Sequence, residues 1–161
     1  MATLLFHSAR TIDEWSSEDG TRLAHRPYPS AGARHPIGIT VVANDVEGLA
    51  AGAWDFDPVH CRLQPSDWHA ETVARIVGAA TAALGGVTPP TLVVAIAEPD
   101  RTVSRYPAGT AHLWRDAGAM LTTVHIVAAA IGLRSSIVGI GGQIGDETDN
   151  AIDVGAVAVG R

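Results

Sequence analysis

Arg26-Pro27-Tyr28-Pro29-Ser30-Ala31-Gly32-Ala33-Arg34-His35-Pro36 leads directly into Ile37-Gly38-Ile39-Thr40-Val41-Val42-Ala43. Prolines at 27, 29 and 36 fix φ at about −65° and remove amide donors, so the first stretch is not helical. Gly32 permits a turn that a side chain would obstruct. The second stretch is apolar at successive positions, which predicts a strand over 37–44 covered on both faces. A stiff loop presenting Ser30 and backbone N–H groups at the mouth of a core strand has the form of a ligand cradle. The same features also describe an ordinary connection stiffened by proline.

Downstream, Asn44-Asp45 ends this strand. Two short alternating pieces, 53–56 and 61–63, flank Asp57-Pro58 and predict a hairpin. Residues 68–85 carry Val73, Ile76, Val77, Ala80 and Leu84 at helical spacing. Ser66 and Asp67 offer N-caps, Glu71 offers a capping-box partner, and Gly85-Gly86 stops the helix. Residues 91–97 form a second strand that is apolar throughout. The longest helical pattern, 112–133, has Leu113, Ala117, Met120, Leu121, Val124, Ala128 and Ile131 on one face, with Arg115, Asp116, Thr122 and Thr123 off it. A helix this apolar is central to the domain or to a dimer. Two further strands follow, at 135–140 and 154–159. Upstream, residues 1–25 read as a short helix and then an exposed loop. The order predicts an α+β fold with one mixed, mainly antiparallel sheet flanked by helices, as a single domain spanning 1–161.

The chain has 161 residues, 47% hydrophobic and 17% charged, which gives one domain with a real core and excludes a disordered chain. A net charge of −6 with no Lys/Arg block argues against nucleic acid as a partner. One cysteine, Cys61, excludes a disulfide framework and a thiolate zinc cluster. His7, Ser8 and Arg10 interrupt the early apolar run, so no signal peptide is expected, and no stretch reads as a membrane span. The expected location is the cytoplasm.

The seven histidines, His112 and His125 included, show no i, i+4 pair, so no metal site is expected. His125 reads as a core or interface histidine, and Trp114 reads as core. The glycines at 139, 141, 142 and 145 have the wrong spacing for a dinucleotide loop. Asp146, Glu147, Asp149 and Asp153 read as a solvated turn and helix cap. Ser30 is not in a Gly-x-Ser-x-Gly elbow, so a hydrolase triad is not expected.

Taken together, residues 26–36, the 46–58 segment with Trp54-Asp55-Phe56-Asp57-Pro58, Arg105-Tyr106, Asp116-Ala117-Gly118, residues 128–133 and Val138-Gly139-Ile140-Gly141-Gly142 resemble the nitroreductase-like flavoproteins. The order is that of the SagB-type azoline dehydrogenase branch, and the resemblance covers residues 4–161. It implies an FMN-binding fold, normally a homodimer with flavin at the subunit interface. It also implies that Arg26, Pro29, Ser30, Ala31, Gly32, Gly141 and Gly142 contact the cofactor.

Two departures stand out. The branch's Arg-rich, phosphate-gripping segment would fall ahead of Leu4-Leu5-Phe6 and is not in this sequence. Arg10, Arg22, Arg26, Arg34 or a partner chain then supply those contacts. The branch's catalytic lysine is Arg105 here. Arginine does not lose its proton, so Tyr106 is the expected acid/base, its phenol near a reference pKa of ~10 and favoured as phenolate by the adjacent guanidinium.

The function implied is an FMN-dependent oxidoreductase acting on a small molecule or peptide in natural-product or peptide tailoring. The alternatives are a flavin-free scaffold or binding subunit, and a non-redox acid/base enzyme using the same cleft.

Overall fold

A computed structural model describes residues 1–142 and 151–161. The elements run α1 (Ala2–Ala9), β1 (Asp13–Ser16), β2 (Arg22–His25), β3 (Ile37–Ala43), β4 (Gly52–Asp57), β5 (Arg62–Pro65), α2 (Ala70–Ala83), β6 (Thr91–Ala97), α3 (Asp100–Val103), α4 (Gly109–Ala130), β7 (Arg134–Val138) and β8 (Ile152–Gly160). Strands β5-β4-β3-β6-β8-β7 form one sheet, and β1-β2 form a separate hairpin. Every strand pairing among the described residues is antiparallel, so the expected α+β architecture has no parallel ladder there.

The two strands read as doubly covered, β3 and β6, lie side by side at the sheet centre, with Ile37 opposite Ala97 and Ala43 opposite Thr91. Alternation along them feeds two cores. Ile37, Ile39, Val41, Val93 and Ala95 pack with α1 and α4 through Leu4, Leu5, Leu113, Met120 and Val124. Val42, Leu92 and Val94 face the other way and pack with Ile76 and Ala80 of α2. The helices therefore sit on opposite faces of the sheet.

Several expectations need correction. Residues 13–25 are not a loop but the β1-β2 hairpin, whose turn is closed by Ser17 N–H donating to the Thr21 carbonyl at 3.0 Å. All four β1 residues are exposed, so no alternation in the sequence marks them. No side chain caps α2, whose N-cap is His69. Trp114 is not core: it is 53% exposed on the outer face of α4. Asp116 does not lie off the buried face of α4, for it is only 5% exposed. Among the described residues, no helix is long and apolar enough to cross a membrane.

Met120 is fully buried at the centre of the larger core. Met120→Ala is expected to destabilise the fold by about 2–5 kcal/mol, read from urea denaturation curves.

Candidate functional site

The Pro-Ser-Ala-Gly turn is held from inside the protein. Asp116, presented by α4, accepts a hydrogen bond from the Ser30 hydroxyl at 2.6 Å. The Ala31 N–H reaches both oxygens of the same carboxylate at 3.1 Å. Ser30 Oγ in turn accepts the His35 N–H at 2.8 Å. Ser30 Oγ and the Ala31 N–H, expected to face a ligand, are thus used internally. The chain then winds through a 3-10 turn, Ala31–Ala33, with Gly32 at φ 60°. Ala33 and His35 also have positive φ, 55° and 44°. Left-handed backbone at non-glycine residues is costly and persists where surrounding bonds impose it. Here the Asp116 and Ser30 bonds do so.

Gly32 faces outward, against Tyr106. A Cβ built on Gly32 would lie 2.5 Å from the Tyr106 hydroxyl. Tyr106 is delivered by the short α3 and the turn behind it, where its N–H donates to the Thr102 carbonyl at 3.0 Å. Gly109 lets α4 begin at once, since a Cβ there would meet Val103 Cα at 2.8 Å. The Tyr106 ring stands edge-on to His112, with centroids 5.0 Å apart.

An open cavity of about 380 Å³ lies over Gly32 and Tyr106, lined also by Ser17, Glu18, Asp19, Leu23, Arg34 and Arg105. The β1-β2 hairpin, missed in the sequence, supplies one of its walls. Hydrogen bonds from Ser17 and then Thr21 hold the Asp19 carboxyl well below the usual carboxylate range, with Arg34 3.8 Å away adding to the effect. Arg34 itself is buried and donates to the Arg101 carbonyl at 3.0 Å. Arg105 is exposed in the cavity, and among the described residues its side chain has no hydrogen-bond or ion-pair partner.

A second recess of about 220 Å³ lies nearby, with Arg26, His35, Gly38, Phe56, Glu98 and Arg101 in its lining. Arg26 donates to the Tyr28 hydroxyl at 3.1 Å, and its buried Nε has no partner. His35 Nε2 lies 2.9 Å from the Ala24 carbonyl, which leaves the buried Nδ1 without a partner. Burial, and then the Arg26 charge, push the His35 imidazole from 6.5 to about 4. His35 is therefore neutral at neutral pH, donating from Nε2.

Gly141 and Gly142 leave the same end of the sheet. Ile37 is opposite Ala97, and Ala97 is opposite Ile152. Gly141 lies beside the Asp153 carbonyl, 3.1 Å from the position of a Cβ. Pro29 is exposed at the rim of the turn. The fold thus carries the loop, Arg105-Tyr106 and the Gly141-Gly142 turn to one sheet end. Gly145, Asp146, Glu147 and Asp149 lie outside the described residues. His125 is away from this group, its Nδ1 2.8 Å from Ser135 Oγ on β7.

Nothing in the sequence alone marks Asp19, His35, Glu98 or Arg101 as site residues, and Asp116 stands there only as part of a helix motif. Asp116 did carry a signal. It lies three residues after Leu113 and four before Met120, so helical spacing puts it on the apolar face.

No protein-family profile and no curated protein sequence matches the chain. Solved structures do. A protein from Anabaena variabilis described as a nitroreductase superposes with a TM-score of 0.77 at 20% identity, over 98% of this chain and 34% of that one. A chain of the Escherichia coli microcin synthetase McbBCD complex, with truncated pro-MccB17 bound, gives a TM-score of 0.74 at 19% identity, over 99% of this chain and 62% of that one. The NADPH:FMN oxidoreductase of Vibrio harveyi, complexed with NAD+, gives 0.52 at 14% identity, over 83% and 54%. The chain therefore spans about a third of the Anabaena protein and 62% of the microcin synthetase chain. The shared architecture is the nitroreductase-like fold.

Two outcomes follow from this geometry. Gly32→Ala is expected to destabilise the protein through its positive φ and the Tyr106 hydroxyl. Tyr106→Phe removes only the second cost, so a double-mutant cycle in urea should show positive coupling between the two sites. For His35, the unfolded chain binds a proton between pH 6.5 and about 4 that the folded chain refuses. Stability should therefore fall as pH drops through that window, and His35→Gln should flatten that part of the profile of unfolding free energy against pH.

Proposed function

We propose that this chain is an FMN-dependent oxidoreductase of the nitroreductase type, in the azoline dehydrogenase branch, with its site at the Pro-Ser-Ala-Gly turn. The observation that carries the reading is the meeting of Gly32 with Tyr106 beneath an open cavity, on a loop pinned by Asp116. The similarity of the microcin synthetase chain, and the residue pattern of the branch, favour a peptide or small-molecule substrate and a role in natural-product tailoring.

The residues fit the cofactor's phosphate monoester. Arg26 has a buried N–H without a partner, and it shares its recess with Arg101. Phosphate favours charge-assisted donors of this kind. Pro29, Ser30, Ala31 and Gly32 would set the backbone against the ring, with Gly141 and Gly142 at the neighbouring strand end. Bound flavin supplies a hydride acceptor. The chain supplies position and a proton site. All eleven residues of the Lys/Arg class are arginines, so no lysine is available as a base. Tyr106 Oη is then the group that takes or returns a proton, with Arg105 beside it.

The unit is a single domain over 1–161 that pairs as a homodimer. Trp114, Gly118, Thr122 and Ile126 follow one another at i+4 and lie exposed along α4, an outward stripe suited to a second copy. Trp114 and Ile126 on it are 53% and 60% exposed. A partner protein, as in the multichain McbBCD complex, is a further component of this reading.

One observation favours a flavin-free scaffold or acid/base enzyme instead: the Ser30 and Ala31 donors are already taken by Asp116. A visible spectrum of the purified chain, FMN titration and a solution mass separate the readings. The expected result is a yellow protein, or one that binds FMN at micromolar concentration, at twice the chain mass. A colourless protein that binds no FMN at high micromolar concentration would overturn the oxidoreductase reading.

A further inference from the structure

We propose that the cavity above Gly32 takes a substrate carrying a carboxylate, and that Arg105 holds that carboxylate. This names the substrate class of the cleft described above and so rests on the oxidoreductase reading.

The charges in the lining decide it. Four charged residues line the cavity: Glu18, Asp19, Arg34 and Arg105. Arg34 and Asp19 offset each other at 3.8 Å, and Arg34 is further tied to the Arg101 carbonyl. Asp19 is fixed in turn by Ser17 Oγ at 2.5 Å and the Thr21 N–H at 3.0 Å. Arg34 is thereby committed, and Asp19, itself an anion, does not attract one. Arg105 is free: it is exposed, and its side chain has no partner among the described residues. Its guanidinium offers a rigid fork of N–H donors that matches the two oxygens of a carboxylate.

The same inventory selects a monoanion over a dianion. Two acids and two arginines leave the lining neutral, so a carboxylate adds one negative charge and a phosphate would add up to two beside Glu18 and Asp19. The rest of the lining includes Leu23, Tyr106 and the glycine backbone at Gly32, which suit a flat apolar body. A volume of about 380 Å³ admits a small molecule or the end of a peptide.

Arg105 is thus a substrate-positioning group and leaves proton transfer to its neighbour.

Benzoate and benzamide, equal in shape and different in charge, are the probes. Isothermal titration of the 161-residue chain at low salt should show benzoate binding and benzamide at least ~10-fold weaker. Arg105→Gln should abolish that preference. Arg134→Gln should preserve it, because Arg134 is also exposed but pairs with Gly160 at the opposite end of the sheet. Absence of benzoate binding, equal affinity for both probes, or an equal loss in Arg134→Gln would each overturn the assignment. Arg105 is exposed, and far-UV circular dichroism checks that Arg105→Gln folds. Parallel FMN titration keeps the two readings apart. Retained FMN binding without benzoate selectivity sinks only the carboxylate assignment, whereas Arg105-dependent benzoate binding without FMN binding sinks only the flavin reading.

Discussion

A single buried carboxylate organises the site. Asp116 sits on the inner face of α4, and burying a charge there is costly unless donors surround it. The donors come from the Ser30 hydroxyl and the Ala31 N–H, far away in sequence. Ser30 serves in both directions, giving its proton to Asp116 and accepting the His35 N–H. That one hydroxyl therefore links the central helix, the turn and the residue that leads into β3. With Ser30 and Ala31 turned inward, Gly32 is left facing out, and the Tyr106 hydroxyl closes on it. Removal of the carboxylate would strand two donors and release the left-handed backbone at Ala33 and His35. The turn's Ser30 hydroxyl and Ala31 N–H are bonded inward, and that limits what it can offer a ligand.

The second constraint is the use of arginine alone for positive charge. The chain carries a net charge of −6, yet Arg26, Arg34, Arg101 and Arg105 gather around the turn and α3. Each has a distinct environment. Arg34 is buried and bonded to a carbonyl, Arg101 lies 3.8 Å from Glu98, Arg26 meets Tyr28, and Arg105 stands open. None can act as a base at physiological pH, because a guanidinium holds its proton. Under the proposed reading, such a cluster would favour an anion and leave proton transfer to a phenol or an imidazole. Tyr106, whose hydroxyl meets Gly32 at the cavity, is a group of that kind, and its ring is in contact with His112.

The sequence was most legible where burial was symmetrical. Strands β3 and β6 are apolar at almost every position because helices cover both faces, and α4 follows from its broad apolar stripe. The β4-β5 hairpin was legible from alternation around Asp57-Pro58. Hairpin β1-β2 was hidden because a strand with every residue exposed has no pattern to show. Asp116 was hidden for a different reason, since an acid in a helix ordinarily marks the polar side. Its partners could not be foreseen locally, since a buried acid declares a need for donors without saying which loop supplies them. The approach of Tyr106 to Gly32 belongs to the same class. It depends on where α3 and the start of α4 land on the sheet, and that is settled by packing across the whole domain.

The two faces of α4 differ sharply in exposure. Trp114 and Asp116 lie within one turn of the helix, one 53% exposed and the other 5% exposed. Side chains two positions apart point about 200° from one another around a helix of 3.6 residues per turn. A surface that packs on Trp114 and Ile126 therefore presses α4 toward the sheet and the Ser30 turn. Rotation of α4 that improved the outer contact would carry the Asp116 carboxylate away from Ser30 and Ala31, whose hydrogen bonds tolerate little change in distance. Under the dimeric reading, subunit pairing and the shape of the turn are thus held by one rigid element, and a substitution at the outer stripe would reach the cleft through Asp116 without touching it.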